Sequence, residues 1–261
     1  MFDAAVESFW SLRRRSQPDC AAQPPARSAA LIRALVTEED YDRPLAVQMA
    51  ALLQVCGLDA GTGGQHVAGL LELVLGLEYA HWDQALPLGP DSNLAAAVKN
   101  GVALATLVGG VETAEAAAAL IGGDPLYATA RDIDVPRVQQ ALGFLFPAAD
   151  GGLATLEPDL IGEHHVAEVA TDALVAACLD SARTDQDKRR HILTVLNRVT
   201  RKEHGAMAQR AEIRLARLVE TRGETLGADL VRVAVETPGK LIELCAALEA
   251  QVEQFGDEAL A

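Results

Sequence analysis

Residues 151–177, GGLATLEPDLIGEHHVAEVATDALVAA, decide how the rest of the chain is read. The Gly-rich start predicts a short extended turn. From Pro158, suited to a first helical turn, Leu160, Ile161, Val166, Val169, Leu174 and Val175 recur at helical spacing. The expectation is a turn that passes into the longest helical run of the chain. Small helices punctuated by Gly and Pro should precede it, and long amphipathic helices should follow.

Working outward toward the N-terminus, the apolar patterning predicts three compact helices at 93–108, 113–121 and 135–146, with Gly109, Gly110, Gly122 and Gly123 as punctuation. Three such helices followed by the extended ADGGLATLEP outline a winged helix with a short β wing. On DNA that module would need a basic recognition helix, yet VPRVQQALGFLFP offers only Arg137, so protein packing is the better reading of this helix. Further upstream, Phe2, Val6, Phe9, Trp10 and Leu12 predict an amphipathic helix closed by Arg13, Arg14 and Arg15. A loop at 17–28 and short helix at 29–36 follow, then a helix at 45–56 opened by Pro44 and an apolar helix at 67–82. The cluster Gly61, Gly63, Gly64 follows a helix and contains no Lys, so it reads as an interhelical loop rather than a phosphate cradle.

Working outward toward the C-terminus, helices are expected at 187–204, 206–221, 225–236 and 238–255, lengths that suit stacked helical hairpins, with the GDEALA end frayed. Charge inverts here. Residues 183–222 hold 11 Lys and Arg against 5 Asp and Glu, whereas the rest of the chain holds 11 against 32. Arg210, Arg214 and Arg217 share one helical face and form a basic ridge, read either as a solvated face or as a dock for an acidic partner.

Bulk composition fits an all-α fold. The 261 residues are 50% hydrophobic but only 4% aromatic, so Leu, Ala and Val build the core and favour close helix packing. A formal charge of −15 disfavours nucleic acid and anionic membranes as general partners. No apolar run is long enough to span a bilayer, and a cytoplasmic protein is the expectation. Cys20, Cys56, Cys178 and Cys245 form no CxxC pair, which speaks against a zinc knuckle and for reduced, buried thiols. The cluster Glu163, His164, His165 and Glu168 invites a metal or general-base reading, since His164 and Glu168 stand at i, i+4. Two ligands do not close a site, and the HExxH order is missing, so one inward and one solvated His is the simpler expectation.

The ordered strings RPLAVQMAALLQVCG, LLELVLGLEYAHWDQAL, GVALATLVGG and LEPDLIGEHHVAE, with the wing between, resemble the region that follows the ATPase core in bacterial STAND-class signalling NTPases. The resemblance covers roughly residues 1–200 and implies a helical lid at 1–90, a winged-helix domain at 91–157 and a helical arm at 158–261. Met1 falls where the lid would begin, so the Walker motifs are expected outside this polypeptide. Many relatives close the winged helix with a His-Asp pair at the nucleotide; the counterpart here is Pro158 and Asp159, and no nucleotide contact, cofactor or catalytic residue is carried over. Three readings follow: a non-catalytic regulatory and protein-interaction module serving an NTPase core, a free-standing scaffold whose arginine ridge docks an acidic partner, and a hydrolase built on Glu163, His164, His165 and Glu168.

Overall fold

A computed structural model describes residues 2–16, 44–57, 67–86, 93–128 and 134–247. The loop and short helix expected at 17–36, the glycine cluster at 61–64 and the end of the last helix with its tail lie outside the described residues. The chain divides into two compact units, Met1–His81 and Trp82–Ala261.

In the first unit, α1 (Phe2–Ser16) buries Phe2, Val6 and Trp10, one residue per turn, and packs against α2 (Pro44–Val55). Pro44 opens α2 as its first residue, where the missing N–H costs nothing. Small side chains at Ala46, Ala50 and Ala51 are buried in α2, so neighbouring backbone can come close. Most of α3 (Val67–Ala85) belongs here too, with Leu70, Leu71, Val74 and Leu75 buried.

The hub of the second unit is α4 (Asn93–Val108), in which every residue from Gly101 to Val108 is buried. Gly101, Ala103 and Ala105 keep its surface thin enough for several helices to pack around it. After it come the strand β1 (Val111–Thr113), α5 (Ala114–Gly122), a 3-10 turn (Pro125–Ala128), α6 (Val135–Leu145) and the strand β2 (Gly151–Leu153). Then follow α7 (Asp159–Val169), α8 (Asp172–Ser181), α9 (Gln186–Arg198), a 3-10 turn (Lys202–His204), α10 (Ala206–Glu236) and a helix over 241–247. Helices α5 to α9 all contact α4. The fold is all-α, and the sheet seen among the described residues is one antiparallel pair with Val111 opposite Leu153 and Thr113 opposite Gly151. The pair is tight: a Cβ on Gly152 would overlap the Val111 carbonyl and the Glu112 backbone, so only glycine fits there.

Local chemistry starts these helices. Thr113, Asp134, Thr171 and Asp185 each accept a hydrogen bond from the backbone N–H three residues on, at 2.7 to 3.2 Å. Leu104, Leu107, Leu174, Ile192, Leu193 and Leu215 then meet in one core, each contributing about 2 kcal/mol by complete burial. Among the described residues, no helix is long and apolar enough to cross a membrane.

Three helix assignments differ from the sequence reading, the first being the helix expected at 187–204, which ends at Arg198 ahead of the 3-10 turn Lys202–His204. The run from Pro158 to Ala177 is broken: Ala170 is extended, with φ −64 and ψ 130, and Thr171 caps a new helix, so α7 and α8 are separate. Conversely, the helices expected at 206–221 and 225–236 are one, the 31-residue α10, which is the longest helix among the described residues. Gly223 costs about 1 kcal/mol relative to Ala within a helix. Burial of Leu218, Val219, Leu226 and Leu230 on either side of it offsets that cost.

Candidate functional site

Helix α7 runs through the middle of the second unit, with Ile161 to Ala167 buried on every side. Its polar side chains therefore reach partners inside the protein. The Glu163 side chain, 3% exposed, accepts from Arg198 Nη1 at 3.3 Å through Oε1 and from Arg201 Nη2 at 3.1 Å through Oε2. Arg198 also approaches Asp159 at 3.6 Å. These arginines stand where α9 ends and the chain turns into the 3-10 segment, so one carboxylate ties the start of α7 to that turn.

His164 and His165 are both buried, at 1% and 0% exposure, which corrects the expectation that one of them is solvated. The reason is that α7 has no outward face at this level. His165 Nε2–H donates to the Lys99 carbonyl at 2.9 Å, and its ring meets Trp82 edge-on at 5.6 Å. His164 stacks on His204, the planes 19° apart, with the two Nδ1 atoms separated by 3.4 Å. One of these nitrogens must carry the proton. His204 Nε2 lies 3.6 Å from Glu163 Oε2, so a proton on that nitrogen faces negative charge. This favours His164 Nδ1–H as the donor and His204 Nδ1 as the acceptor.

Glu163 and His164 are thus brought together through His204, whereas Glu168 is exposed and His165 is committed to α4. Among the described residues, no group of three His, Cys, Asp or Glu side chains is placed to hold a metal ion. A small cavity of about 170 Å³ adjoins the network, lined by Thr106, Thr155, Asp159, Glu163, His191 and Arg198. Its polar groups are largely engaged with one another: His191 Nε2 meets the Thr106 carbonyl at 3.3 Å, and Thr106 Oγ1 accepts from Leu156 N at 3.5 Å.

No protein-family model, curated protein or solved structure matches this chain.

The arginine ridge on α10 is partly spoken for. Arg214 Nε and Arg217 Nη1 each donate to Asp172 at 3.1 Å, one to each oxygen, and Arg222 grips Asp180 with both terminal nitrogens. The Arg222 hydrogen bonds hold the Asp180 carboxyl below its usual range. Arg210 is exposed and reaches the Met207 sulfur at 3.9 Å. A third cluster is buried nearby in sequence. Burial works against ionisation of Asp229, but hydrogen bonds from Arg189, Gln186 and Arg190 outweigh it and hold that carboxyl low. Sequence reading found the ridge but not His204, Arg198 or Arg201. Their signal was the basic run at the end of α9, which cannot be aimed at Glu163 without the fold.

The buried imidazoles make stability depend on pH. Burial, reinforced by His204, lowers the pKa of His164 from 6.5 to about 4. Burial also brings His165 from 6.5 to about 4, against the opposing bond to Lys99. The unfolded chain therefore binds protons that the folded chain refuses. The contribution of both residues is complete above pH 6.5 and is lost as pH falls from 6.5 to about 4. Melting temperature is expected to be flat with respect to these groups above that window and to fall through it. His165→Phe, which keeps the contact with Trp82, should reduce the slope by about half; an unchanged slope would mean that His165 does not titrate in this way.

Proposed function

We propose that the chain is a non-catalytic regulatory and protein-interaction module, the lid, winged-helix and arm portion of a STAND-class nucleotide switch that its sequence resembles. The element order supports this reading. Helices α4, α5 and α6 are followed by a wing whose strand β2 bridges Pro147 and returns to pair with β1, between the first two helices.

The observation that carries the interaction reading is the outward face of α6. Arg137, Gln140 and Phe144 recur there at i, i+3 and i+7, and Phe144 is 66% exposed. Together with Leu86, Leu94 and Ala141 they border a groove of about 350 Å³. A helix presenting an aromatic ring, apolar neighbours and a single cation suits a protein side chain better than a phosphate backbone.

The test is coexpression with a neighbouring reading frame that encodes a GxxxxGK loop followed by Ser or Thr. A stable complex is expected, together with no ATP turnover by the pure chain alone. Phe144→Asp should weaken that complex by about tenfold or more, as loss of an interfacial aromatic anchor does, and leave the melting temperature unchanged. ATP hydrolysis by the pure protein, or a complex indifferent to Phe144→Asp, would overturn the reading.

A further inference from the structure

The groove between α8 and α10 brings Arg214, Arg217 and Arg222 around a cavity of about 420 Å³ whose apolar lining includes Val175 and Leu218. Two carboxylates answer the three guanidinium groups: Asp172 is shared by Arg214 and Arg217, and Asp180 takes Arg222. One positive charge is left over. The Arg214 side chain is only 16% exposed, its Nε is used by Asp172, and its Nη1 is buried with no hydrogen-bond partner. A guanidinium presents its donors as a planar fork that matches an oxyanion, so a buried, unused arm marks where an acceptor belongs.

We propose that this groove binds a small organic oxyanion, a phosphomonoester or a carboxylate on a compact apolar body. The oxyanion accepts from the neighbouring Arg217, which is 66% exposed and free to adjust, and from Arg214 Nη1 once that guanidinium turns toward the groove, since the nitrogen is closed to solvent as it stands. The apolar body lies on Val175 and Leu218. The cavity is of the size that holds small molecules, roughly 300 to 1,000 Å³. The formal charge of −15 works against an extended polyanion approaching as a whole. The site stands apart from the docking face on α6, so either can fail alone.

The test titrates the protein separately with phenyl phosphate and phenylacetate, using chloride at matched ionic strength as the control. Saturable millimolar binding of at least one probe is expected, weakened by about tenfold or more in Arg214→Met, as loss of a charge-assisted hydrogen bond implies. Because Arg214 also holds Asp172, a second variant separates binding from folding. Ala176→Glu projects a tethered carboxylate into the groove and should abolish probe binding while the protein still melts cooperatively. Binding of phenyl phosphate alone assigns a phosphomonoester, phenylacetate alone a carboxylate, and both an oxyanion site that does not discriminate. No binding above the chloride control, or equal binding by parent and Ala176→Glu, would overturn the proposal.

Discussion

Glu163→Ala is expected to lower the free energy of unfolding by about 3 kcal/mol, the lower end of what removing one partner from a buried ion pair costs. The carboxylate is 3% exposed, and its partners Arg198 and Arg201 are 38% and 29% exposed, so water compensates the arginines in part but cannot reach the place Glu163 leaves. Arg198 would retain only the longer contact to Asp159, and Arg201 only the Arg198 carbonyl. His204 would also lose the negative charge that fixes its tautomer beside His164. Urea denaturation should show a shifted midpoint with an unchanged slope, since compactness is not altered. Glu163→Gln keeps an acceptor of the same shape and should recover about half of the loss, the part that does not depend on charge. A change below about 1 kcal/mol in Glu163→Ala would show that α7 is held by apolar packing alone.

Much of this fold could be read before its geometry was known. A core of Leu, Ala and Val with few aromatics left helices as the economical solution, and Pro44, Gly109 and Gly110 stand where helices start or end. Both glycines after α4 have positive φ, +79 and +83, which explains that punctuation physically. The break at Thr171 was equally local, since Thr followed by Asp is a cap signal, but the apolar periodicity of VAEVATDALVAA continues through it and hides it. The helix expected to end at 221 runs on instead: Gly223 has no positive φ to stop it, and Leu226 and Leu230 beyond it are buried. The candidate site was half legible. Glu163 and His164 were visible as a cluster, but their partners lie 35 to 41 residues away across the α9 turn, and nothing in spacing links them. The ridge was legible as periodicity, while its pairing with Asp172 and Asp180 required knowing that α8 lies alongside α10.

Asn197→Ala should cost about 3 kcal/mol, because it strands two backbone groups at once. Asn197 is fully buried at the end of α9. Its Nδ2 donates to the Thr237 carbonyl at 2.9 Å, where α10 ends, and its Oδ1 accepts from Leu241 N at 2.9 Å, where the next helix begins. Thr200 completes the arrangement: its hydroxyl donates to the Asn197 carbonyl at 2.6 Å and accepts from Lys240 N at 3.0 Å. The link 237–240 is therefore laid directly on this residue, so closely that a Cβ on Gly239 would overlap Asn197 Oδ1. At neutral pH no other side chain of this length sets a donor and an acceptor on two separate atoms. Alanine would leave Leu241 N, a first-turn donor of its helix, and the Thr237 carbonyl without partners. Amide exchange at Leu241 and Leu244 should accelerate together with the global loss. Asn197→Asp provides the internal control: it keeps an acceptor for Leu241 N but sets a second oxygen against the Thr237 carbonyl. At neutral pH it should be at least as destabilising as alanine. Relative to the parent protein it should recover on acidification, when a protonated carboxyl can donate again. Parent-like stability and unchanged exchange in Asn197→Ala would mean that the 241–247 helix is held by Leu241 and its core contacts rather than by these hydrogen bonds.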